Sequence, residues 1–106
     1  MSDLSLDGRW RRRTDLRIRP LPELPDPKCL VYTPHRPRLI ELDRVGWLAL
    51  ELAEDCSGAE FEASFTRHVS PPWDAKTARH EALMAFLSLQ RLEIIEPMPV
   101  GVPDLE

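Results

Sequence analysis

The run from Arg38 to Cys56, Arg-Leu-Ile-Glu-Leu-Asp-Arg-Val-Gly-Trp-Leu-Ala-Leu-Glu-Leu-Ala-Glu-Asp-Cys, restricts the fold more than any other part of the chain. Its first residues are β-prone, and after one aspartate the spacing turns helical. Val45, Leu48, Ala49, Leu52, Ala53 and Cys56 recur at the intervals of one helix face. Asp43 stands at the N-cap position, where a carboxylate accepts from the free amides of the first turn. A strand that feeds straight into a capped helix, late in a row of short strands, leaves few architectures open.

The flanking segments complete the pattern. Leu16 and Ile18 alternate with Arg17 and Arg19, which reads as a strand over residues 15–19, closed by Pro20, Pro22, Pro25 and Pro27. Residues 29–32 form a second apolar run. Pro34-His35-Arg36-Pro37 makes a turn, because proline presets φ and removes a ladder donor, and residues 38–42 return as a third strand. The first helix is expected over residues 44–55. Ser57 and Glu60 match a capping box, and Phe61, Phe65 and Val69 follow at four-residue spacing, giving a second helix over 58–69 that Pro71 and Pro72 stop. Asp74 caps a third helix over 75–91, with residues 92–95 ending it or forming a short closing strand. The fold class is α+β: a three-stranded antiparallel sheet followed by three helices.

A chain of 106 residues has room for one domain. It is expected over residues 14–96, between a flexible basic tail at 1–13 and a second flexible tail at 97–106. The first tail holds Arg9, Arg11, Arg12 and Arg13, while the whole chain carries a net charge of −4. That balance supplies no general electrostatic attraction to nucleic acid. No apolar run reaches the roughly 18 residues of a membrane span, and the N-terminal segment lacks the apolar centre of a secretory signal. Cys29 and Cys56 fall in apolar patterns, on a strand and on the first helix, and read as buried free thiols. A cytoplasmic location fits best.

The third helix carries two stripes. Ala78, Ala82, Ala85, Phe86, Leu89 and Leu92 share a core-facing side. Lys76, Arg79, His80, Leu83, Leu87 and Gln90 lie beside it, while Thr77, Glu81, Met84, Ser88 and Arg91 take the far, wet side. An apolar arc this wide has two readings: Leu83 and Leu87 pack beneath the sheet, or they floor a groove with a basic rim suited to an acidic amphipathic peptide.

The strings Arg19-Pro20-Leu21-Pro22, Leu30-Val31-Tyr32 and Leu39-Ile40-Glu41-Leu42-Asp43, with Trp47, Leu48 and Leu52 on the first helix, resemble PqqD-type proteins. These are RiPP recognition elements, small winged-helix-like domains that bind the leaders of ribosomally made, modified peptides. Ser57-Gly58 and the ending Phe86-Leu87 to Leu92, Ile94 and Ile95 also fit. The resemblance implies that a precursor leader peptide adds as a strand between the third strand and the third helix. Carried onto this chain, the contacts are Arg38, Leu39, Ile40, Glu41 and Leu42 with Lys76, Arg79, His80, Leu83 and Leu87. Arg36 and Arg44 are candidate rim charges, and Trp47, on the outer side of the first helix, is a candidate contact for a peptide-modifying enzyme. The implied protein is a monomer or weak dimer without cofactor.

Nothing in the sequence suggests catalysis. His35, His68 and His80 are scattered, no cysteine or histidine spacing suits a metal, and Glu51, Glu54 and Asp55 read as a solvated face. Neither a nucleophile elbow nor a phosphate loop occurs. Two other readings stand beside leader binding: a winged-helix DNA-binding protein using Arg9–Arg13 as a groove-inserting arm, and a protein–protein adaptor anchored by Trp47.

Overall fold

The computed structural model describes residues 8–98. In chain order the elements are β1 (Arg9–Arg12), β2 (Arg17–Leu21), β3 (Lys28–Thr33), β4 (Arg38–Leu42), α1 (Arg44–Leu52), β5 (Cys56–Ser57), α2 (Gly58–Val69), α3 (Ala75–Arg91) and β6 (Ile95–Pro97). The expected sheet is present as β2-β3-β4, antiparallel throughout, and the three helices follow it. A second antiparallel sheet, β5-β1-β6, is also formed.

That second sheet corrects the expected tail boundaries. Arg9–Arg12 is a strand in the middle of a sheet, with Trp10 opposite Cys56 on one side and Pro97 on the other. Trp10 is only 8% exposed and meets Phe86 edge-on, with centroids 6.1 Å apart. Pro97 belongs to β6, and the Met98 amide donates to the Arg9 carbonyl at 2.8 Å. The remaining parts of both expected tails, residues 1–7 and 99–106, lie outside the described residues.

Cys56 is likewise displaced from its expected helix. α1 ends at Leu52, Asp55 takes a left-handed backbone with φ 52°, and Cys56 pairs in β5. Arg9 holds this exit: its guanidinium donates to the Asp55 carboxylate at 3.0 Å and to the Asp55 carbonyl at 2.7 Å. The pairing partner is more than forty positions away in the chain, so local spacing carries no sign of it.

The caps behave as their chemistry requires. The Asp43 carboxylate accepts from the Gly46 amide at 2.9 Å, Ser57 and Glu60 form the reciprocal capping box, and Asp74 accepts from the Thr77 amide at 2.7 Å. The Thr77 amide, followed by the Thr77 side chain, holds the Asp74 carboxyl below its usual range, and the Ser57 amide, followed by Arg9, does the same for Glu60. α3 ends in a Schellman turn, in which the Ile94 amide donates to Leu89 and the Glu93 amide to Gln90. Glu93 has φ 60° there, a conformation that glycine usually supplies.

An aromatic row holds the core together. Phe86 of α3 lies 4.8 Å from Phe61 of α2, Phe61 lies 5.8 Å from Phe65, and Phe65 lies 6.4 Å from Trp73. Ala78 and Ala82 are fully buried, so α3 can approach α2 closely while Phe86 and Leu89 fill the remaining space. Cys29 and Val31 from β3, Leu42 from β4 and Ala49, Leu50 and Ala53 around α1 close the core from the sheet side.

Two outcomes test this packing. Trp10→Ala should cost about 3–5 kcal/mol in urea unfolding, as for other buried large aromatics; a tail residue would cost nothing measurable. Both cysteines are free, and burial pushes their thiols up, Cys56 from 9.0 to about 11. The fold favours the protonated thiol, so stability should hold below pH 9 and fall as the pH rises toward 11, where only the unfolded chain ionises freely. Cys56→Ala should flatten that decline, read by thermal melts across the alkaline range.

Candidate functional site

The sheet β2-β3-β4 has two edges, and they differ in kind. β2 is blunted by Pro20, which has no amide to donate, and by Arg17 and Arg19, all exposed. Such residues discourage further strand pairing. β4 has no proline within it, and Leu39 is 67% exposed. Alternate residues of β4 turn their amides and carbonyls away from β3, and no other described strand pairs there.

β4 is fastened at both ends. Beside its start, Arg36 of the hairpin turn pairs with Glu93 at 2.9 Å, and the Arg38 guanidinium donates to the Leu92 carbonyl at 2.8 Å. His35 lies 3.3 Å from the same Glu93 carboxylate. Glu93 reaches these partners from its left-handed position just beyond α3. At its other end β4 passes directly into Asp43 and α1. A groove of about 540 Å³ separates the end of β4 and the start of α1 from α3.

The groove floor is apolar, with Leu42, Val45, Ala49, Ala85, Leu89 and Leu92 among its lining. Gly46 is there for a steric reason: a methyl on it would stand 3.2 Å from Leu42 Cβ and Cδ2, inside the roughly 3.5–4.0 Å at which carbons rest. The helical wall is Glu81, Met84, Ala85 and Ser88, with Met84 46% exposed.

The expected site residues are therefore divided. Of the β4 set, Glu41 and Leu42 line the groove, Leu39 stands exposed on the outer sheet face, Ile40 packs inward against the core, and Arg38 closes one end. The α3 set is not brought to β4. Arg79 and Leu83 line a separate apolar depression of about 390 Å³ against α2, with Ala59, Phe61 and Glu62, and Arg79 pairs with Glu62 at 3.0 Å. Lys76 and His80 are exposed, Leu87 is half-buried, and none of the three lines the groove. Gln90, expected on the same stripe, is buried.

The reason is rotational. Burying Ala78, Ala82, Phe86 and Leu89 leaves two flanks of α3 uncovered, and the end of β4 and the start of α1 lie opposite the flank of Glu81, Met84 and Ser88. That flank was expected to be the wet side. Its one sequence signal was Met84, an apolar side chain among polar neighbours.

The other candidates also acquire places. Arg36 is committed to Glu93, and Arg44 turns to the opposite flank of α1, beside Trp47 and Leu48. Trp47 is half-buried, and its Nε1 donates to Glu51 at 3.1 Å. The arginines of β1 are occupied. Arg9 pairs with Asp55 and Glu60, Arg11 with Glu96, and Arg12 with Glu54, while Arg13 beyond the strand takes Asp15 and Glu96. Arg13 holds the Asp15 carboxyl below its usual range. Among the described residues no three His, Cys, Asp or Glu side chains gather as a metal site requires, and no helix is long and apolar enough to cross a membrane.

Comparison with protein-family models, with curated proteins and with solved structures found no match.

The Arg38 fastening is testable. Its bond to a carbonyl contributes about 1.5–3 kcal/mol, but its Nε is buried without an acceptor among the described residues, which costs about 1–3 kcal/mol. The two nearly offset. Arg38→Met should change global stability by less than about 1 kcal/mol, while amide exchange should quicken at Arg36 and at Glu93 and Ile94.

Proposed function

We propose that this chain is a winged-helix-like RiPP recognition element of the PqqD type, a cytoplasmic, non-catalytic chaperone for a precursor peptide. The leader adds as a strand to β4 and lies in the groove against α3. The supporting observation is the bare β4 edge running beside a groove with an apolar floor. Backbone pairing to β4 supplies affinity, and the side chains that alternate toward α3 supply selectivity.

The chaperone then presents the peptide to a separate modifying enzyme, raising the local concentration of the segment to be modified. Trp47, with Pro27, Arg44 and Leu48, is the proposed enzyme contact. It stands on a flank of α1 distinct from Gly46 and Ala49, so both partners can be held together. The DNA alternative loses its arm, since Arg9, Arg11, Arg12 and Arg13 are all held in ion pairs.

Peptides selected from a displayed random library on the immobilised protein provide the test. Selected sequences should share an extended apolar pattern and lose at least about tenfold in affinity (about 1.4 kcal/mol) with Met84→Asp or Ser88→Trp. Leu83→Asp, on the opposite flank, should leave affinity unchanged. Unchanged titrations for both groove variants would falsify the assignment. A random duplex at low salt should show no retarded band.

A further inference from the structure

The charge around the groove is the reverse of what the basic stripe on α3 suggested. Among the described residues its ionisable lining is Glu41, Asp43 and Glu81, with no lysine, arginine or histidine. The nearest bases in sequence do not line it: Arg38, at one end of the groove, donates to the Leu92 carbonyl, and Arg44 lies on the Trp47 side of α1. Lys76, Arg79 and His80 belong to the other flank of α3.

The three acids are not equally free. Lys28 lies 2.9 Å from Glu41, and the Asp43 carboxylate accepts from the Gly46 amide. Glu81 is half-buried on the helical wall and has no ion-pair or hydrogen-bond partner among the described residues. One helical turn further on stand Met84 and Ala85, the latter small enough to leave space above it.

We infer that the groove selects a strand carrying a basic side chain two positions from an apolar one, and rejects acidic strands. This rests on the proposed strand addition. Alternate residues of a strand repeat at about 6.6–6.8 Å, and Glu81 and Ala85 are separated by about 6 Å along the helix axis. An aliphatic residue over Ala85 therefore brings its second neighbour to Glu81. The arginines of β1 are no competitor, since each already has a carboxylate partner.

Two fluorescent peptides decide the matter. Both carry one alternating valine–serine scaffold with a central leucine, and they differ only by lysine or glutamate two positions from it. At low salt the lysine peptide should bind about five- to tenfold tighter, since the change replaces repulsion by attraction. The difference should shrink as salt screens it. Glu81→Gln should abolish the preference and Glu81→Lys invert it, with unchanged circular dichroism. Equal affinities, or tighter binding of the glutamate peptide, overturn the inference. If the glutamate peptide binds at least as tightly as the lysine peptide and Ser88→Trp removes that binding, the groove reading stands and only the charge selection falls. If neither peptide binds, both are overturned.

Discussion

The contact of Phe86 with Phe61 and Trp10 is the constraint on which the remaining geometry rests. Phe86 is the largest side chain that α3 buries, and it meets α2 on one side and the second sheet on the other. Ala78 and Ala82 remove bulk where the helices are closest. Together they set the rotation of α3 about its axis, since a turn either way would expose Phe86 and bury charged residues. With the rotation set, Glu81, Met84 and Ser88 face the end of β4 and the start of α1, and Arg79 and Leu83 face away. The groove and its acidic character are consequences of an aromatic contact made elsewhere.

Ion pairs explain why the N-terminal arginines form structure. β1 lies between two very short strands, and ladders of two and three pairs do not by themselves order a strand. Trp10 anchors it by burial. Its neighbours then meet carboxylates from the end of α1, from the start of α2 and from β6. Each exposed pair contributes little alone, about 0.2–1 kcal/mol, but the set neutralises an otherwise repulsive run of arginines. The same residues thereby cease to be a mobile basic arm.

An edge strand is usually a hazard, and this fold treats its edges unequally. β2 is closed by proline and arginine, and the edges of the second sheet are only two or three residues long. Among the described strands β4 alone is both long enough and bare enough to accept another strand. It is also held rigidly, through Arg36 and Arg38 at the turn and through Asp43 at the helix. Preorganisation of that kind reduces what an incoming peptide must order.

Local chemistry sufficed for much of this chain. Asp43, the Ser57–Glu60 box, Asp74 and the paired prolines mark where the helices start and stop, because capping acts within a few residues. The Pro34–Pro37 turn defines the β3–β4 hairpin for the same reason. Relations between distant segments were not legible. The place of Trp10 depends on Cys56 and Pro97, and nothing near any of the three announces the others. The helical wall of the groove was hidden more subtly: the sequence by itself shows that α3 has a wide apolar arc, but both flanks of that arc are consistent with the same periodicity. Only the tertiary structure decides between them, because the side of α3 on which β4 lies follows from three-dimensional packing of the aromatic core, which a one-dimensional period does not encode.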